Sequence, residues 1–156
     1  MSTDPIVRRS VLDRLIQSGD AEPRSGAESV RALKAAVLRD VEWLLNTRRI
    51  ARPAPAHLTE LASSVYHFGL PDMTSVSADS KRLRQELLLE VQACIERFEP
   101  RLSLVRVIEP PAEGEDRRDI RFRVEAVLRL DPEPEPLLFD TVLEAKSGRF
   151  SVPAGP

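Results

Sequence analysis

The chain has 156 residues and a mass of 17.5 kDa, the size of one domain, with little room for two independent cores. Hydrophobic residues make up 42% and charged residues 31%, enough for a buried core and a solvated surface, which excludes a disordered chain. The 23 basic and 25 acidic side chains leave a net charge of -2, so no overall positive field draws a nucleic-acid backbone.

Met1 to Ser10 carries no apolar core of a secretion signal, and Cys94 has no second cysteine to pair with. No apolar run approaches the roughly 20 residues that cross a bilayer. These features predict a soluble cytosolic protein.

In chain order, Ser10 and Asp13 have capping-box-like spacing ahead of Leu12, Leu15 and Ile16, which predicts a short amphipathic helix. Gln17 to Glu28, with Gly19, Pro23 and Gly26, is too polar to pack and is expected to be a mobile linker. The division expected is therefore residues 1–28 as helix and linker and 29–156 as a single domain. A helix tethered in this way is either docked on its own domain or a hook for a partner.

From Val30 to Ile50 the positions Val30, Leu33, Val37, Val41, Leu44 and Leu45 recur at helical spacing. Arg48 and Arg49 suit the negative end of that helix, and Pro53 and Pro55 stop it. Leu58, Leu61 and Val65 predict a short helix closed by Gly69 and Pro71. Ser80 to Phe98 carries Leu83, Leu87, Val91, Ile95 and Phe98, and Pro100 ends it by excluding helix at Glu99.

After Arg101 the period falls to two. Leu102 to Ile108 is apolar and β-branched, and Ile120 to Leu130 alternates apolar with charged positions. Leu137 to Ala145 and Arg149 to Val152 predict a hairpin around Ser147 and Gly148. Glu109 to Asp119 and Asp131 to Pro136 are acidic, proline-containing loops. The expected fold is α+β, with N-terminal helices packed on a C-terminal, mainly antiparallel sheet of about four strands.

Catalytic patterns are scarce. His57, His67 and Cys94 have no metal-ligand spacing, the 6 glycines form no phosphate loop, and no nucleophile elbow occurs. Cys94 lies on the apolar side of its helix, as a structural thiol does. No cofactor or metal is expected.

Three strings carry a family resemblance. They are Asp40-Val41-Glu42-Trp43-Leu44-Leu45-Asn46-Thr47-Arg48-Arg49, Ser64-Val65-Tyr66-His67-Phe68-Gly69-Leu70-Pro71-Asp72, and Phe98-Glu99-Pro100-Arg101-Leu102. With the opening Ser10 to Leu15 and the closing Phe139-Asp140-Thr141 ahead of Gly148-Arg149-Phe150, they resemble the type VI secretion baseplate subunits of the TssE family. That family is related to a wedge protein of contractile phage tails. His67-Phe68 departs from the family, which more often has Asn or Ala before Tyr there.

The resemblance implies a non-catalytic baseplate subunit, cytoplasmic at the inner membrane, that primes polymerisation of the contractile sheath. Implied partners are the wedge proteins TssF and TssG, TssK indirectly, and the sheath subunits TssB and TssC. The family's Glu-Pro-Arg triplet falls on Glu99, Pro100 and Arg101. These, with Leu12, Asp13, Arg14 and Leu15 of the opening helix and Asn46, Arg48 and Arg49, are the candidate partner-binding residues. Read as residues alone, the triplet favours an internal ion pair or a cap for the third helix; the resemblance tips the balance to partner contact.

A sheet of this kind must also leave edges, and the hairpin from Leu137 to Val152 is the expected place for strand addition, at Val142 or Leu143. The alternatives from other classes are a lysozyme-like peptidoglycan hydrolase and an adaptor of an unrelated intracellular assembly. With 4% aromatic residues, the hydrolase has little to line a sugar cleft.

Overall fold

Two serine caps set where the helices begin. Ser10 Oγ accepts the Asp13 N–H at 3.1 Å at the start of α1, Val11–Ile16. Ser25 Oγ accepts the Glu28 N–H at 3.2 Å, so α2, Gly26–Asn46, opens inside the stretch expected as linker. The signal was the Ser25-x-x-Glu28 capping spacing. These features come from a computed structural model that describes residues 10–16, 25–52, 54–72, 80–110, 119–131, 133–144 and 146–153. The remainder of the expected linker, residues 17–24, the loop 111–118 and the tail 154–156 lie outside them.

Between the long helices, the single helix expected at Leu58, Leu61 and Val65 is instead two 3-10 segments, Thr59–Ser63 and Val65–His67. Ser64 separates them in extended backbone, and its Oγ accepts the Tyr66 N–H at 3.2 Å. That local bond offers the chain an alternative to helix, and Val65 is left 90% exposed instead of entering a core. Helix α3, Lys81–Phe98, is capped by Ser80 and ends where Glu99 leaves helical space before Pro100.

Strands β1 (Leu102–Ile108), β2 (Ile120–Leu128), β3 (Glu135–Leu143) and β4 (Phe150–Ser151) form one antiparallel sheet in the order β1-β2-β3-β4. The expected α+β arrangement is the one observed, with helices first and a meander after. Strictly alternating burial along β2 puts Ile120, Phe122, Val124, Ala126 and Leu128 on the covered face. They meet Val37, Val41, Leu44 and Leu45 of α2 and Leu87, Val91, Cys94 and Ile95 of α3 in one core. Each fully buried large side chain, such as Phe122, contributes roughly 1.5–3 kcal/mol. Burial pushes the Cys94 thiol up to about 11, consistent with a structural role.

Candidate functional site

Pro100 fixes a corner between α3 and β1, and that corner collects charge. Glu99 is only 4% exposed. Arg101 grips it twice, Nε donating to Oε1 at 2.7 Å and a terminal nitrogen donating to Oε2, while the Arg101 N–H also reaches Oε1 at 3.2 Å. The same terminal nitrogen donates to Asp40 Oδ2 on α2 at 2.7 Å. Asp40 Oδ1 accepts two bonds from Arg39, at 3.0 and 2.7 Å, and Arg39 Nη1 donates to Asp13 Oδ1 on α1 at 2.6 Å. Ser10 Oγ donates to the other Asp13 oxygen at 2.6 Å.

The result is a chain of alternating charge, Glu99–Arg101–Asp40–Arg39–Asp13, that ties α1, α2 and the α3–β1 corner together. Forked, charge-assisted bonds of this kind are stronger than neutral ones and demand the planar geometry of arginine. The Glu99 bond, then the Asp40 bond, holds the Arg101 guanidinium charged against the cost of its desolvation. Asp13 sits below the ordinary carboxylate range, first because Arg39 bonds to it, with burial opposing and Ser10 assisting.

The candidate residues divide into two groups. Glu99, Arg101 and Asp13 belong to the charge chain, with Pro100 exposed at its corner. Val11, Leu12 and Leu15 point to solvent, and among the described side chains of α1 it is Asp13 that reaches the body. The side chain of Arg14 lies outside the described residues. Asn46 and Arg48 instead reach the β3–β4 hairpin, Arg48 donating to the Gly148 carbonyl at 3.0 Å. Arg49 pairs loosely with Glu90 of α3 at 3.4 Å. Asp40 and Arg39, the links in the middle of the chain, were not singled out from sequence because neighbouring opposite charges on a helix are ordinary surface features.

The sheet has two guarded edges and one open flank. On β1 a bulge between Ser103 and Arg106 turns Leu104 to φ 53°, and the Val107 N–H is taken by Gln92 Oε1 at 3.3 Å. On β4, Phe150 N–H and C=O are both taken by the Asn46 amide. Strand β3 is nine residues long, yet β4 pairs only with its Val142 and Leu143. The proposed point of strand addition at Val142 and Leu143 is therefore already occupied.

Toward the start of β3 no strand lies on that flank among the described residues. Glu144 donates its N–H toward β4. By the two-residue alternation, Asp140 and Leu138 turn their backbone groups the same way, away from β2 and toward the flank where no described strand lies.

The sequence model described as baseplate wedge protein gp25 matches residues 31–133, from α2 through β2 into the turn before β3. That span includes Arg39, Asp40, Glu99 and Arg101. No curated protein matches the chain.

Proposed function

The chain belongs to the baseplate wedge protein gp25 family, and from that premise we propose that it is a non-catalytic wedge subunit of a type VI secretion baseplate that primes sheath polymerisation. Its place would be cytoplasmic, in a baseplate docked at the inner membrane. The charge chain makes the corner at Glu99, Pro100 and Arg101 a rigid platform, the kind of surface on which TssF and TssG would seat, with TssK reached through them.

The observation that supports the sheath role is the flank of β3 on which, among the described residues, no strand lies. Backbone groups of Leu138 and Asp140 are left to accept an extended segment from TssB or TssC, with affinity supplied by main-chain hydrogen bonds. Outside the fully paired region, the edge is kept from indiscriminate pairing by Pro136, which has no N–H to offer, and by the Asp140–Arg123 ion pair. A hydrolase reading gains nothing at Glu99, because Arg101 takes up both carboxylate oxygens.

The test is proline at Leu138 or at Asp140, which removes an outward donor without breaking a backbone bond to β2; Asp140→Pro also gives up the exposed ion pair with Arg123, and Leu138→Pro controls for that loss. Purified sheath subunits added to the assembled baseplate should nucleate at background rate with either variant. Wild-type nucleation by both variants, each shown to be folded, would dismiss strand addition on this flank.

A further inference from the structure

Downstream of α2 the chain crosses itself. Arg48 and Leu70 form a parallel bridge, with Leu70 N–H donating to Thr47 O at 3.0 Å and Arg49 N–H to Leu70 O at 2.8 Å. The crossing holds open a surface concavity of about 240 Å³, lined by Thr47, Arg48, Ile50, Val65, Tyr66 and Phe68. Phe68 is anchored from behind by an edge-on contact with Phe98, and Tyr66 Oη donates to the Arg52 carbonyl at 3.2 Å. The floor is thus fixed before anything binds. Its rim is apolar and wet: Ile50 is 55% exposed and Val65 90%.

This volume is below the roughly 300–1,000 Å³ of small-molecule sites and suits a single side chain. Arg48 is the one charged residue in the lining. Among the described residues no ion pair is formed by Arg48, and its bond to the Gly148 carbonyl uses one of five donors. An apolar socket with an uncompensated guanidinium beside it is complementary to an apolar side chain with a carboxylate next to it.

We propose that this concavity is a docking site for a partner-protein segment that presents one apolar anchor beside an acidic residue. The anchor fills the space between Ile50, Val65 and Phe68, and the carboxylate takes the free donors of Arg48. The site is separate from the open flank of β3 and does not depend on the sheath role.

A displayed library of random peptides, selected on the full-length chain, tests it. Selected sequences should pair an apolar residue with a nearby Asp or Glu. Val65→Asp, at a position too exposed to affect folding, should weaken them by about tenfold, equivalent to 1.4 kcal/mol. Arg48→Gln keeps a donor for Gly148 and should abolish the acidic preference, while selection on Arg48→Glu should return Lys or Arg in its place. Three outcomes overturn the proposal: no selected binder, binders without acidic preference, or binders indifferent to Val65→Asp and Arg48→Gln. Peptides lost with Asp140→Pro but retained by Val65→Asp would also overturn it, and would leave the strand-addition reading standing.

Discussion

The side-chain amide of Asn46 pairs with both backbone polar groups of Phe150: Nδ2 donates to the carbonyl at 2.8 Å, and Oδ1 accepts the N–H at 2.9 Å. One side chain at the end of α2 therefore occupies the position of a missing neighbouring strand. A third bond, from Nδ2 to the Glu42 carbonyl at 2.9 Å, fixes its rotamer. Asn46→Ala leaves the polar groups of Phe150 unpaired beside the core and is expected to cost about 2 kcal/mol. For a chain of this size that lowers Tm by roughly 4–8 °C. Thermal unfolding checks the loss, and faster amide exchange at Phe150 should accompany it. An unchanged Tm would mean that water replaces the amide at no cost.

Arg101→Lys keeps the charge but not the fork. Lysine offers a point charge on a flexible stem, so it cannot hold both oxygens of buried Glu99 and Asp40 together. With Arg101 partly exposed, the expected loss is about 2 kcal/mol, below the 3–5 kcal/mol of a fully buried pair. Chemical denaturation of the isolated chain measures it. A wild-type midpoint, together with weaker baseplate assembly, would mean that the fork serves a partner and not the fold.

The helices and strands could be read from sequence because their signals are local. The 3.6-residue period of Val37, Val41, Leu44 and Leu45 and the two-residue period of Ile120 to Leu128 each report the face that the core covers. The triplet was also legible as a rigid corner, since Pro100 has the same effect in any context. Its partners were not. Asp40 meets Arg101 from 61 positions away and Asn46 meets Phe150 from 104, and no periodicity encodes such pairings. The region from Leu58 to Val65 misled for a different reason: three apolar residues at helical spacing outweighed Ser64, whose hydroxyl breaks the helix.

Acid should release α1 before it unfolds the rest. The Arg39 bond lowers the folded pKa of Asp13 below its ordinary 3.8, so the carboxylate contributes stability above that value. The contribution falls away as the pH drops below about 4 and is gone once the pH has passed through the lowered folded value. Because Asp13 is the described α1 side chain that reaches the body, while Leu12 and Leu15 face solvent, the loss falls on that contact. Amide exchange across 11–16 should rise in this acid window while exchange in β2 stays slow. Asp13→Asn should show the raised exchange already at pH 7. Equal protection of α1 at pH 7 in both proteins would remove the ion pair as its fastening.

Gly69 is the position where a methyl group should be least tolerated. Its φ is +95°, in the left-handed region that L side chains rarely adopt, and an added Cβ would sit 2.3 Å from the Thr47 carbonyl oxygen. That oxygen cannot withdraw, because it accepts the Leu70 N–H in the crossing beneath the Arg48 concavity. Backbone strain of about 1–3 kcal/mol therefore adds to a steric overlap that only separation of the two segments relieves. Gly69→Ala should lower the denaturation midpoint more than Asn46→Ala does. It should also unseat Leu70 from the core and abolish any peptide binding at Val65, even under conditions where the protein remains folded. Retention of both the midpoint and the binding would show that the two segments part without cost, and the preformed floor of the concavity would then have no basis.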